Sequence, residues 1–201
     1  AAQAGTLQGA RAAQQARQKA LETGTGIVGL DDQTAARVIS AFISKFDDPY
    51  LKPEIIRAIS DFKIVGARKL LIEATQDAND RIRELAGQAL LSLSLALREW
   101  IDSTPPSPTI DDPNVEVFIK LLADPAIKIR AQSVVALGRL MDARAIGPLI
   151  ETSRDKSEQV REKVIVTLGN FGDERILDVA INFIVSDAQS NLPALASETF
   201  R

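Results

Sequence analysis

From Asp31 onward, apolar residues recur three and four positions apart. The stretch "DDQTAARVISAFISKF" opens on a carboxylate suited to an N-cap and places Ala35, Val38, Ile39, Phe42, Ile43 and Phe46 at helical spacing. "KPEIIRAISDF" follows, with Pro53 in the first turn, where its missing N–H costs nothing. The same spacing predicts helices over "ARKLLIEAT", "DRIRELAGQALLSLSLALREW", "NVEVFIKLLA", "IKIRAQSVVALGRL", "ARAIGPLIETS", "EQVREKVIVTLGNF", "ERILDVAINFIV" and "LPALASETF". The β-branched "VIVTL" lies inside an amphipathic helical frame, so no segment reads as a strand. The expected fold class is all-α.

Two stretches interrupt the pattern. Residues 1–30 hold an Ala/Gln-rich helix, expected from Leu7 to Glu22, and a glycine linker, "TGTGIVG" at 23–29. Residues 102–113 carry Pro105, Pro106 and Pro108 among Ser and Thr, which cannot continue a helix. The expected organisation is thus an N-terminal helix and linker (1–30) before one repeat domain (31–201) with an inserted loop at 102–113.

The helical part repeats itself. "ALGRLMDARAIGPLI" (136–150) returns as "TLGNFGDERILDVAI" (167–181). Arg130 and Arg161, Gly138 and Gly169, Asp142 and Asp173, and Asp124 and Asp155 are each 31 positions apart, as are Lys52 and Arg83. Leu51, Ile82, Ile129 and Val160 precede the basic residue each time. Arg83 to Arg130 is 47, or 31 plus 16, and the longer helix and Pro-rich loop supply the difference. About five helical pairs result, and a lone pair cannot bury its apolar face without neighbours. A glycine pattern written twice belongs to a building block, whereas a catalytic constellation is normally unique.

"DPAIKIRAQSVVALGRLMDARAIGPLIETSRDKSEQVREKVIVTLGNFGDERIL" resembles tandem HEAT-like repeats of the short, phycobilisome-lyase type. The likeness is close over 114–185, recognisable over 47–98 and weak over 31–46. It implies a right-handed α-α superhelix whose second helices line an extended binding surface. It also implies a polar ladder in which an Asp six residues before a basic residue ties successive turns together: Asp77/Arg83, Asp124/Arg130 and Asp155/Arg161. The first repeat departs from this, with Phe46 in the Asp place and Lys52 in the Arg place, leaving Asp47 or Asp48 as substitutes. Gly138 and Gly169 are expected to allow close helix packing or the left-handed turn that ends a helix.

Composition narrows the chemistry. The 201 residues include no Cys and no His, which excludes thiolate and imidazole catalysis, disulfides and Cys-based zinc sites. No calcium-loop spacing occurs, so neither a metal nor a cofactor is expected. The net charge of −3, from 24 basic and 27 acidic residues, offers no global attraction for nucleic acid. No apolar run is long enough to span a membrane. A start at Ala1 suits a chain trimmed from a longer one, and either side of an export step remains open.

Several local motifs have ordinary explanations. "GTGIVG" (24–29) fits a dinucleotide fingerprint only on paper, since a helix precedes it and no parallel sheet is available. Arg57, Lys63, Arg68, Lys69, Arg81, Arg83 and Arg98 are interleaved with Glu54, Asp61, Glu73, Asp77, Asp80, Glu84 and Glu99, as on a solvated mixed-charge face. Trp100 either anchors the insertion or meets a partner, and "TPPSP" (104–108) is either a connector or a polyproline segment.

The expected function is a non-enzymatic scaffold that binds another protein. The repeat register directs Glu54, Arg57, Asp61, Glu84, Gln88, Gln132, Arg139, Glu162, Lys163, Thr167 and Asn170 outward on second helices, with Trp100 as a further contact. Family resemblance alone adds a bilin-handling or phycobiliprotein-binding role, and a spacer within a larger protein is the third possibility.

Overall fold

A computed structural model describes residues 32–102 and 112–172, together with Ile176, Val179, Ile181 and Thr199. The expected N-terminal helix, the glycine linker and the Pro-rich loop lie outside the described residues. The described elements are helices: α1 Asp32–Lys45, α2 Lys52–Asp61, α3 Arg68–Ala74, α4 Asp80–Asp102, α5 Asn114–Leu121, α6 Ile127–Leu140, α7 Ile146–Thr152 and α8 Glu158–Gly169. Short 3₁₀ turns, Val65–Ala67 and Ala143–Ala145, lead into α3 and α7. The chain forms two compact units, residues 1–110 and 111–201.

In the first unit α4 packs against α2 and α3, and α1 meets the turn at Val65–Ala67. The core is aliphatic: Ile56, Ile59, Leu71, Ala86, Leu90 and Leu93 are each at most 1% exposed. Such side chains contribute roughly 1.5–3 kcal/mol each when fully buried, so the packing rather than helix propensity holds these short helices. Phe46 joins the core, but Ile43, expected on the apolar face of α1, is 57% exposed.

In the second unit α6 packs side by side with α8, α5 lies on α6, and α7 lies on α8. Phe118, Val134, Leu137, Leu140, Leu149, Val164, Ile165 and Leu168 form its centre. Arg144 closes the α6–α7 corner. Its Nε and Nη2 donate to the two Asp142 carboxylate oxygens, and Nη2 also donates to the Asp112 carbonyl at 3.0 Å. Asp112 in turn accepts from the Asn114 N–H at the start of α5.

The ends of the second helices follow one rule. The backbone turns left-handed at Lys63 (φ 52°), Met141 (φ 49°) and Gly172 (φ 63°), after α2, α6 and α8. Each stands eleven positions beyond its basic residue, Lys52, Arg130 or Arg161. The equivalent position after Arg83 is Ser94, which is fully buried inside α4. With no left-handed residue to stop it, α4 runs for 23 residues, which accounts for part of the 47-residue step.

Gly138 therefore does not make the turn. It lies inside α6, where a Cβ would stand 2.8 Å from Cγ2 of Thr167 on α8. Its absent side chain sets how closely the two helices approach. Gly169 has the same office, since a Cβ there would overlap the Thr199 side chain.

Candidate functional site

Two features recur across the helical pairs: a row of ion pairs at the turns, and an exposed ridge along the second helices. The ion pairs start from the Asp that closes each turn. Its carboxylate accepts the N–H two residues on, from Asn79 at Asp77, Ala126 at Asp124 and Ser157 at Asp155. This Asx turn holds the corner before the second helix begins. The Arg six residues later donates Nη1 to the carbonyl of that same Asp: Arg83 to Asp77, Arg130 to Asp124 and Arg161 to Asp155, each at 2.9 Å.

Within each i,i+6 pair, then, it is the backbone oxygen that the arginine takes. At Asp77 and Asp155 the carboxylate answers to a basic residue 25 positions earlier. Arg130 donates Nε and Nη2 to Asp155 at 2.7 and 2.9 Å, and Lys52 donates to Asp77 at 2.7 Å. Arg130 holds the Asp155 carboxyl below the usual carboxylate range, and the Ser157 N–H adds to the effect. Asp155 correspondingly raises the Arg130 guanidinium. The Lys52 hydrogen bond depresses Asp77 in the same way.

The irregular first repeat uses other chemistry. Phe46, standing where an Asp would be, is buried, and the Lys52 ammonium lies 5.1 Å from its ring centroid. Asp48 supplies the missing Asx turn by accepting the Tyr50 N–H at 2.9 Å. One lysine is thus shared between an aromatic face and a carboxylate.

The exposed ridge of the second unit occupies positions −2, +2, +5 and +9 from Arg130 and from Arg161. On α6 these are Lys128, Gln132, Val135 and Arg139, and on α8 they are Gln159, Lys163, Val166 and Asn170. Seven-residue and four-residue steps put each set on one helix face. Gln132 and Val135 are half-buried and the other six are exposed, Val166 at 44%. In the first unit α2 carries Glu54, Arg57 and Asp61, whereas on α4 only Arg81 and Gln88 are exposed, Leu85 at the +2 place being buried and Ser92 at +9 half-buried. Glu54 and Arg57 pair with each other.

Nine of the twelve expected surface residues fall on exposed or half-buried positions, Glu162 being half-buried one ridge over. Two do not face outward. Glu84 is 8% exposed, and its carboxylate takes Arg81 and Gln88, each at 3.1 Å. Thr167 is 5% exposed because it fills the space that Gly138 leaves. The Trp100 side chain lies outside the described residues. Lys128, Val135, Gln159 and Val166 were not singled out from the sequence, although one helical step of four residues back from Gln132, Arg139, Lys163 and Asn170 reaches them.

Residues 115–197 match the family model for HEAT repeats. A crystal structure of an engineered protein, a Northeast Structural Genomics Consortium target, superposes with a TM-score of 0.58 at 17% identity, covering 92% of this chain and 87% of that one. The fold is HEAT-like. A designed armadillo repeat protein in complex with the peptide (KR)4 superposes at 0.55 and 19% identity, covering 94% and 92%. No sequence among curated proteins matches the chain. The described elements are all helical, and the fold is that of an α-solenoid of HEAT-like repeats. Among the described residues, no group of three or more acidic side chains converges as a metal site, and no helix is long and apolar enough to cross a membrane.

Proposed function

We propose that the chain is a protein-interaction scaffold that binds a segment of another protein along the exposed ridges of its second helices. The observation that carries this reading is the ridge itself. Exposed or half-buried residues recur at the +2, +5 and +9 places on α2, α6 and α8 and at the −2, +5 and +9 places on α4, while core-facing positions are spent on packing and the basic residues on the turns. A repeated, solvent-facing row suits an extended ligand, and nothing in it resembles a nucleophile beside a base. The designed armadillo neighbour, which binds a peptide, supports the same class of ligand.

The test is a random-peptide display selection on the full 201-residue chain, repeated on a variant carrying Arg57→Glu, Arg139→Glu and Lys163→Glu. Peptides enriched on the parent and lost on the variant are expected. A selection that yields no binder, or binders the variant retains equally, overturns the scaffold reading at this surface. The other two roles have their own readouts. Bilin handling requires an absorbance change when bilin and protein are mixed, and a spacer stays folded and selects nothing.

A further inference from the structure

We propose that residues 7–22 of this chain, an Ala/Gln-rich helix by their sequence, lie along α2 and cover an apolar face that the described helices leave open. That face is distinct from the ridge of Glu54, Arg57 and Asp61, and its cover is independent of the scaffold reading.

Each second helix carries a face made of the residue before its basic residue and of those three, six and ten places after it. Steps of four, three and four keep such a set on one side of a helix. On α4 the set is Ile82, Ala86, Ala89 and Leu93, and on α6 it is Ile129, Ser133, Ala136 and Leu140. All eight are buried, none above 5% exposed. On α8, Val160, Val164 and Thr167 are buried and Phe171 is half-buried. Thr167 shows what this face receives, since it stands against Gly138 on the neighbouring second helix. The corresponding set on α2 is Leu51, Ile55, Ala58 and Phe62. Only Ile55 is buried. Leu51 is 41% exposed, Phe62 is 68% exposed and Ala58 is half-buried. Phe62 thus stands bare at the place where Leu93 and Leu140 are sealed in the core.

The segment before α1 has the complementary shape. Gly9, Ala13, Ala16 and Ala20 follow the same four, three and four steps, and none has a side chain larger than a methyl group. Helix α6 offers α8 a glycine at such a contact, and small residues let one helix settle onto the bulky side chains of another. The segment's charges, Arg11, Arg17, Lys19 and Glu22, fall off that stripe. Residues 23–31 join the segment to α1, where the shorter 62–67 and 141–145 suffice between α2 and α3 and between α6 and α7. A short turn, 46–51, sends α2 back along α1, so α1 begins at the level where α2 ends. A segment parallel to α2 therefore sets Ala20 beside Phe62 and Gly9 beside Leu51. A second copy is a poorer occupant, because Gly138 and Gly169 already face Thr167 and Thr199.

The chain has no cysteine, so an introduced pair reports contact directly. The experiment uses the full chain with Ala58→Cys combined either with Ala16→Cys or with Gln18→Cys, which lies on the opposite side of the same segment. Under mild oxidation the 16/58 pair is expected to close within one chain at least tenfold faster than the 18/58 pair. Equal rates overturn the proposed cover, and closure chiefly between chains overturns it in favour of a second copy. Stability gives an independent reading. Phe62→Ser should lower Tm by about 5 °C if the ring is covered, whereas a solvent-exposed phenylalanine can be replaced with a shift of about 1 °C. In a chain already carrying Ala16→Asp, whose stripe cannot seat, Phe62→Ser should also shift Tm by only about 1 °C. A Phe62→Ser chain that melts with the parent, or that loses equally in both backgrounds, shows that this segment does not cover the ring.

Discussion

Arg130 reaches Asp155 across 25 positions with two hydrogen bonds, from Nε at 2.7 Å and from Nη2 at 2.9 Å. Its third donor takes the carbonyl of Asp124 at the turn just before α6. One planar guanidinium therefore joins the turn it follows to the turn of the next pair. The two side chains are only 14% and 10% exposed, so the pair is little screened by solvent. Asp155→Asn keeps the amide oxygen that accepts from Ser157 but removes the charge. It should cost about 2 kcal/mol, the scale of a hydrogen bond to a charged group. Arg130→Lys should cost less, since Lys52 already performs the same reach to Asp77 with one bond. Urea unfolding of the three proteins checks the order, and an Arg130→Lys loss exceeding that of Asp155→Asn would contradict it.

Acid should expose the same pairs. Asp77 and Asp155 are held below their usual carboxyl range in the native fold, whereas in the unfolded chain they titrate near about 3.9. Their contribution is present in full above that unfolded value and is lost as pH falls through the lower native values. Stability from these pairs should stay level from neutral pH to about 5 and decline below about 4. A chain carrying Asp77→Asn and Asp155→Asn should begin less stable and lose less between pH 7 and pH 3. Urea midpoints at the two pH values make the comparison, and parallel losses in both proteins would assign the acid sensitivity to other groups.

The pairing shows what a single sequence can and cannot convey. The 31-residue return of Arg130 at Arg161 was legible, because recurrence needs no knowledge of three dimensions, and so were helices such as α6 and α8. The partner of Asp155 was not. Sequence places Arg161 six residues away, but in the fold that arginine takes the Asp155 carbonyl, and the carboxylate belongs to Arg130 on the neighbouring second helix. Glu84 and Thr167 failed as surface residues for a related reason. Their helix positions lie at the edge of the apolar face, where a neighbour's side chain, or the want of one at Gly138, decides burial. Of the two roles open to Gly138, close packing and the left-handed turn, the fold gives it the packing, and the backbone turns three residues later at a methionine that carries no sequence signal.

Gly138 against Thr167 yields a compensation test. Alanine at 138 would gain about 1 kcal/mol of helix propensity over glycine. Its Cβ, however, would stand 2.8 Å from Cγ2 of a threonine that is 5% exposed and has little room to move. Overpacking of this kind costs about 1–3 kcal/mol, so Gly138→Ala should be destabilising by about 1 kcal/mol. Adding Thr167→Ala removes the obstructing methyl and matches Ala58, Ala89 and Ala136 at the same repeat position. The double variant should recover the loss, a coupling of about 1 kcal/mol in a double-mutant cycle. Thermal or urea unfolding reads it, and a Gly138→Ala chain more stable than the parent would show that α6 and α8 are not in close contact there.

Met141 offers a gain instead of a loss. Its φ of 49° and ψ of 37° place a non-glycine residue in the left-handed region, which costs L-residues roughly 1–2 kcal/mol. The matching position one repeat later is Gly172, with φ 63°. Met141 is 46% exposed, so truncating it sacrifices little packing. Glycine adds about 0.5–1 kcal/mol of unfolded-state entropy to be lost on folding, which offsets part of the relief. Met141→Gly should therefore stabilise the chain by about 0.5–1 kcal/mol, a rise of about 2 °C in Tm for a protein of this size. Lys63→Gly relieves the same strain after α2 but forfeits the Lys63 ammonium's bond to Ser92 Oγ, so its gain should be smaller. A Met141→Gly chain that melts lower than the parent would mean that the methionine side chain contributes packing outweighing the strain of its backbone.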